Sequence, residues 1–199
     1  MSEARPSAYE APGGEARAEV RDRGSRFLGV IVPVSTDAEV AAGLDRLAGE
    51  FPGATHHCWA YRLGTPARER SADAGEPLGT AGAPILRALC AAEVSDALLV
   101  VVRWFGGTKL GRGGLVRAYG AAARAVLEAT PRLEREPTFE VTVRVPLERA
   151  GAVKRLLRPP AIELVAEEYE AVAQLLLRGH LDHEAALRAA LADLGATLL

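Results

Sequence analysis

The residues best equipped for chemistry lie between Arg103 and Arg124. That segment carries Arg103, Lys109, Arg112, Arg117 and Arg124, with no carboxylate between Asp96 and Glu128. Five glycines (Gly106, Gly107, Gly111, Gly113 and Gly114) interrupt it, just after a strongly apolar run and just before a stretch of helical periodicity. Glycine lets another backbone or a ligand come close, and the free N–H groups at a helix start attract anions. The segment therefore predicts contact with phosphate or carboxylate. Arg103 would sit at the base of a cleft, with Lys109, Arg112 and Arg117 as the contacting cations. Gly106 and Gly111 have the spacing of a phosphate loop, but Arg112-Gly113 stands where Lys and Ser/Thr belong. Val116 occupies the place of the third glycine of a dinucleotide fingerprint. The competing reading is a glycine-rich turn that only packs helix on strand.

A second constellation runs from Ser71 to Gly82. Asp73 and Glu76 could work as an acid/base pair or hold a cation, with Thr80 as a positioning hydroxyl or the cap of a following helix. The plainer reading is a surface turn, or ion pairs from these carboxylates to Arg103 or Arg117 that make both motifs structural. His56-His57-Cys58 does not form a chelate, because adjacent strand residues point to opposite faces. Cys58 follows His57 too closely to use it as a base, and Cys90 reads as core. His180 and His183 have no cysteine partner nearby. No complete catalytic set, no metal site and no cofactor is expected.

The elements that must position these residues follow from hydrophobic periodicity. Residues 26–34 read as a strand, and Thr36 with Glu39 has capping-box spacing for a helix bearing Val40, Leu44 and Leu47. A strand follows through His57–Tyr61, then a polar stretch without clear period from Gly64 to Thr80, and a short helix after Pro84. Asp96–Val102 reads as a strand buried on both faces, and a helix starts around Leu115. Beyond Thr130-Pro131 and a charged connector, the order is strand (138–146), helix (148–157), two strands (162–168 and 171–177), helix (182–194) and a final strand at 197–199. That is the split-βαβ, ferredoxin-like order. The expected organisation is a mobile tail over 1–14, an α/β domain over 15–130 and a ferredoxin-like domain over 137–199, in the α+β class.

Composition fits this. The chain has 199 residues, 49% apolar and 25% charged, which suits one large domain or two small ones. A net charge of −2 argues against a generally basic nucleic-acid coat, so any anion site must be local. Two cysteines are too few for a disulfide framework. No apolar stretch reaches the roughly 18 residues of a membrane span, and the polar N-terminal stretch is unlike a signal peptide, so a cytoplasmic protein without a membrane partner is expected.

Three stretches together resemble the YigZ/IMPACT family: His57-Cys58-Trp59-Ala60-Tyr61-Arg62, then Asp73-x-Gly75-Glu76-Pro77-x-Gly79-Thr80-Ala81-Gly82, then Arg103-Trp104-Phe105-Gly106-Gly107 with Leu110-Gly111-x-Gly113-Gly114-Leu115-Val116-Arg117-Ala118-Tyr119. The resemblance implies a first domain of the ribosomal protein S-five domain-two-like fold. It implies a second domain similar to the C-terminal domains of elongation factor G. Eukaryotic relatives are translational regulators that compete for an activator of a stress-responsive initiation-factor kinase. The implied role is thus a translation-linked regulatory binding protein with RNA, the ribosome or a translation factor as partner. The alternative is an enzyme acting on a phosphorylated or anionic small molecule, with Asp73 or Glu76 as acid/base. Two positions depart from the family pattern. Ala74 stands where a second aspartate is common, and Trp104 where tyrosine is more usual.

Overall fold

The computed structural model describes residues 8–199, which form two compact units, 8–135 and 136–199. The first contains β1 (Tyr9–Pro12), β2 (Ala16–Asp22), β3 (Ser25–Pro33), α1 (Asp37–Glu50), β4 (His56–Leu63), β5 (Arg68–Ala72), α2 (Gly82–Ala91), β6 (Ala97–Trp104), α3 (Gly111–Ala129) and β7 (Arg132–Arg135). Five strands make one sheet in the order β2-β3-β6-β4-β5, every neighbour antiparallel. The mixed α/β class is as expected.

Strand β6 organises this unit. Ala97, Leu99 and Val101 enter the core shared with α2 and α3, whereas Leu98, Val100 and Val102 enter the core on the α1 side. Alternating side chains are apolar at every position because both faces of the sheet are covered. Helix α1 starts as its sequence predicts: the Thr36 side chain accepts from the Glu39 N–H, and the Glu39 carboxylate accepts from the Thr36 N–H.

Several sequence readings need correction. Residues 9–12 of the expected tail form β1, paired with β7, and Ala11 is fully buried; residues 1–7 of that tail lie outside the described residues. The supposed connector at 132–135 is β7 itself. The periodless stretch after Gly64 contains β5, whose Arg68, Glu69, Arg70 and Ser71 are exposed, so no apolar alternation marks it. Strand β2 is a further element that the sequence reading does not include. It forms a hairpin with β3 through Arg23 and Gly24, whose φ values of 45° and 79° fit a two-residue turn matched to strand twist.

The second unit contains β8 (Thr138–Val145), α4 (Ala150–Lys154), β9 (Ile162–Tyr169), β10 (Ala173–His180), α5 (Glu184–Asp193) and β11 (Thr197–Leu198). Its sheet order, β11-β8-β10-β9, is the ferredoxin-like order, with every pairing antiparallel. Val141, Val143, Leu175 and Leu177 meet Val153, Leu187 and Leu191 in its core. The first helix is shorter than its periodicity predicts, since Leu147–Arg149 is a 3-10 turn and only 150–154 is α-helical.

One contact ties the glycine segment to the rest of the first unit. A Cβ on Gly106 would lie 1.9 Å from the Gly24 carbonyl carbon and 2.2 Å from the Ser25 nitrogen. Neither atom can yield without moving the hairpin turn. Gly106→Ala should therefore destabilise the first unit by about 2–3 kcal/mol. Gly49→Ala, in α1 with nothing within 4 Å, should raise stability by up to about 1 kcal/mol. Urea unfolding followed by tryptophan fluorescence checks both, because Trp59 and Trp104 are the only tryptophans and both lie in this unit.

Candidate functional site

The 73–82 loop, the end of β6 and the start of α3 converge on one buried polar cluster. Arg103 lies next to the end of β6, on the face that carries Leu99 and Val101, opposite His56 of β4 and Phe27 of β3 in register. It is 5% exposed, and its Nη1 donates to Glu76 Oε1 at 2.5 Å. The same Glu76 oxygen accepts from the Tyr119 hydroxyl at 2.8 Å, and His56 Nε2 stands 3.9 Å away. Arg103 Nη2 reaches Ser25 Oγ at 3.5 Å, while its Nε is buried without a partner. The guanidinium also lies near the Phe27 and Phe105 rings, at 5.4 and 5.6 Å. Arg103 is thus a compensated charge inside the fold: it lines the cleft, and it does so as one half of an ion pair with Glu76, the pairing that the plainer sequence reading allowed.

Asp73 has a different task. Its carboxylate accepts from three backbone N–H groups, Gly79 at 2.8 Å and Ala81 and Gly82 at 2.9 Å. Burial by itself pushes this carboxyl up, but the three donors and the nearby Arg112 bring it below the ordinary aspartate value. Thr80 Oγ1 donates to the Pro77 carbonyl and caps no helix, since α2 begins after Ala81 without a side-chain cap. Asp73 and Thr80 shape the loop, and Glu76 anchors it.

Cys58, Tyr119 and His56 join this site in a role that the sequence reading does not assign to them. The Cys58 thiol is fully buried and donates to the Asp73 carbonyl at 3.0 Å, with the Tyr119 hydroxyl at 3.3 Å. Burial pushes the thiol up to about 12, so it stays protonated. Tyr119 is likewise pushed well above the ordinary phenol value, first by burial and then by Cys58 and Glu76. The only signal for this role was a tyrosine on an otherwise apolar helix face. His56 and His57 do point to opposite faces. His56 Nδ1 lies 2.9 Å from the Ala74 carbonyl oxygen, whereas burial lowers His57 and leaves its Nε2 unpaired. Among the described residues, no three His, Cys, Asp or Glu side chains come together to hold a metal ion.

Beside the cluster opens a cleft of about 430 Å³, with Thr55, His56, Glu76, Pro77, Arg103, Phe105, Lys109, Leu110, Gly111, Arg112 and Leu115 on its walls. The two sequence motifs therefore share one cleft. Its walls are mainly apolar, and the exposed side chains of Lys109 and Arg112 stand at its rim. Arg112 crosses the opening to donate to the Leu78 carbonyl at 2.7 Å. The glycine run is only partly a loop: α3 begins at Gly111, so Gly113 and Gly114 lie in its first turn. Gly107 and Gly111 have φ of 86° and 69°, a region that favours glycine. Arg117 does not line this cleft. It lies in a separate groove between α2 and α3, together with Arg124.

Fold and site together define a two-unit mixed α/β protein in which a closed polar cluster supports an apolar cleft with a cationic rim. The family model of the Impact N-terminal domain matches residues 23–127. An IMPACT family member of Thermus thermophilus is 44% identical, covering 72% of this chain and 76% of its own length. The IMPACT family member YigZ of Escherichia coli is 32% identical over 76% of each chain. A crystal structure described as that of a hypothetical protein is 29% identical, with a TM-score of 0.75 over 96% of both chains. The chain belongs to the IMPACT family.

Glu76→Ala would leave the Arg103 guanidinium buried without its counter-charge and should cost about 3–5 kcal/mol. The double change E76L/R103M removes both charges and should cost less, as read by the same urea unfolding. A second expectation concerns pH. Because the folded Asp73 carboxyl is depressed, its contribution is complete above the ordinary aspartate value and disappears as pH falls through the folded value. Between about pH 5 and about pH 3 the wild-type chain should therefore lose stability relative to D73N. A constant difference across that range would contradict it.

Proposed function

We propose that the protein is a translation-linked regulatory binding protein that grips an anionic partner in the cleft between the 73–82 loop and the start of α3. The observation that carries this reading is the pairing of chemistries at the cleft. Lys109 and Arg112 are exposed, and neither has a carboxylate within ion-pairing distance among the described residues. Between them begins a 19-residue helix that has no side-chain cap, so its first N–H groups are available to an anion. Gly111, on the cleft wall, keeps side-chain bulk away from this rim, and exposed Gly107 and Gly113 flank it, whereas Gly106 is packed against the Gly24 turn and Gly114 against Leu110. Arg103 contributes by holding Glu76 and hence the loop, and Arg117 acts away from the cleft.

The translation link rests on family membership, and the partners it favours are ribosomal RNA or an acidic surface of a translation factor. The acid–base reading is less well supported. Glu76 does face the cleft, but its carboxylate already accepts from Arg103 and Tyr119. Asp73 is occupied by three backbone donors. Both carboxylates are committed to holding the loop.

If phosphates are gripped, retention of the protein by purified ribosomes should fall steeply with salt. The double change K109A/R112A should flatten the slope of log affinity against log salt by about two. Retention that ignores salt, or an unchanged slope in the double variant, would overturn the reading.

A further inference from the structure

The acid-free cationic segment is not spent on the cleft alone. Arg117 and Arg124 lie seven residues apart on one face of α3, together with Val116, Gly120 and Leu127. Across from them, Pro84, Arg87, Ala88 and Ala91 recur at three- and four-residue intervals along one face of α2. The two faces enclose a groove of about 440 Å³ whose wall is alkyl and whose borders are guanidinium. At its floor Gly120 of α3 faces Pro84 of α2, where a Cβ on Gly120 would be in ordinary contact with the Pro84 Cβ at 3.9 Å. The inward faces of these helices, carrying Ile85, Leu89, Tyr119 and Val126, are already used against the sheet.

The charge at this groove is unbalanced. Arg132 is paired with Glu10, but Arg87, Arg117 and Arg124 have no carboxylate within ion-pairing distance among the described residues. The only acidic side chain on the lining is Glu128. Arg117 folds back toward Gly113 and Arg124 toward Gly120, each over the preceding turn, as long helical side chains do. Their charged heads are therefore held two turns apart, about 10 Å along the axis.

We propose that the α2–α3 groove is a docking site for an acidic amphipathic helix of a partner protein. A helix laid along two helices places its apolar stripe on the alkyl wall, the usual mode for grooves of this kind. Acidic residues two turns apart on that helix would meet Arg117 and Arg124, and Arg87 would take a third from the opposite border. No aromatic side chain lines the groove to stack a base, and its wall is alkyl, which favours a peptide over RNA. The site is separate from the cleft and does not depend on what the cleft binds.

The test uses the full chain and a fluorescent synthetic helical peptide with a leucine stripe flanked by glutamates seven residues apart, read by anisotropy. Two other probes accompany it: a peptide of the same composition with the stripe scrambled, and a single-stranded RNA of equal charge. The patterned peptide should bind at least tenfold more tightly than the scrambled one. R117E/R124E should lose at least tenfold, and so should A91E, a change at an exposed position on the groove wall. K109A/R112A should bind the peptide as wild type does, which keeps this result apart from the fate of the cleft. Circular dichroism confirms that the variants fold. The proposal is overturned by no binding, by equal binding of patterned and scrambled peptides, by indifference to R117E/R124E, or by RNA that outcompetes the peptide at these arginines.

Discussion

The ion pair between Glu76 and Arg103 holds together the part of the molecule that matters most. Both side chains are almost completely removed from water, with 3% and 6% of their surfaces exposed. Two charges in such a place are costly to desolvate, and the arrangement holds only because each has further partners. Tyr119 donates to Glu76, Ser25 Oγ lies by Arg103, and two phenylalanine rings flank the guanidinium. A loop, a central strand, a hairpin turn and a helix thus meet on one carboxylate and one guanidinium. The cleft wall inherits its position from that junction, because Pro77 and Leu78 follow Glu76 directly in the chain.

Helix geometry then divides the remaining cations. Arg112 lies in the first turn of α3 and faces the cleft, whereas Arg117 and Arg124 turn toward α2. Five positions along a helix correspond to about 500°, so residues close in sequence can serve different surfaces. A single basic segment becomes one buried half of an ion pair, one cationic rim and one border of a groove.

Much of the fold was legible in the residues. The uninterrupted apolar run at β6 implied cover on both faces, the Thr36–Glu39 spacing implied a capped helix, and the strand–helix order after Thr138 implied the ferredoxin-like sheet. Strands β1, β5 and β7 were harder, because they are short or exposed and carry charged residues where a core strand would alternate; β2 does alternate, but its core face is only Ala16, Ala18 and Val20, a weak apolar signal. Strands β1 and β7 are held by pairing with each other across the sequence, as in Tyr9 opposite Arg135, whereas β2 and β5 pair in hairpins with β3 and β4.

By itself the sequence determined where charge and flexibility gather: an acid-free stretch, a glycine run inside it, and a carboxylate loop before it. Tertiary structure decided which of those charges remain free. Glu76 and Arg103 are 27 positions apart, and Tyr119 is a further helix away, so no local pattern pairs them. Burial makes such pairing compulsory, because an isolated charge in an apolar interior is far more costly than one that finds its partner. Once Arg103 is claimed by that requirement, Lys109, Arg112, Arg117 and Arg124 are left at the surface, and the direction in which α3 turns each of them sets what each can bind.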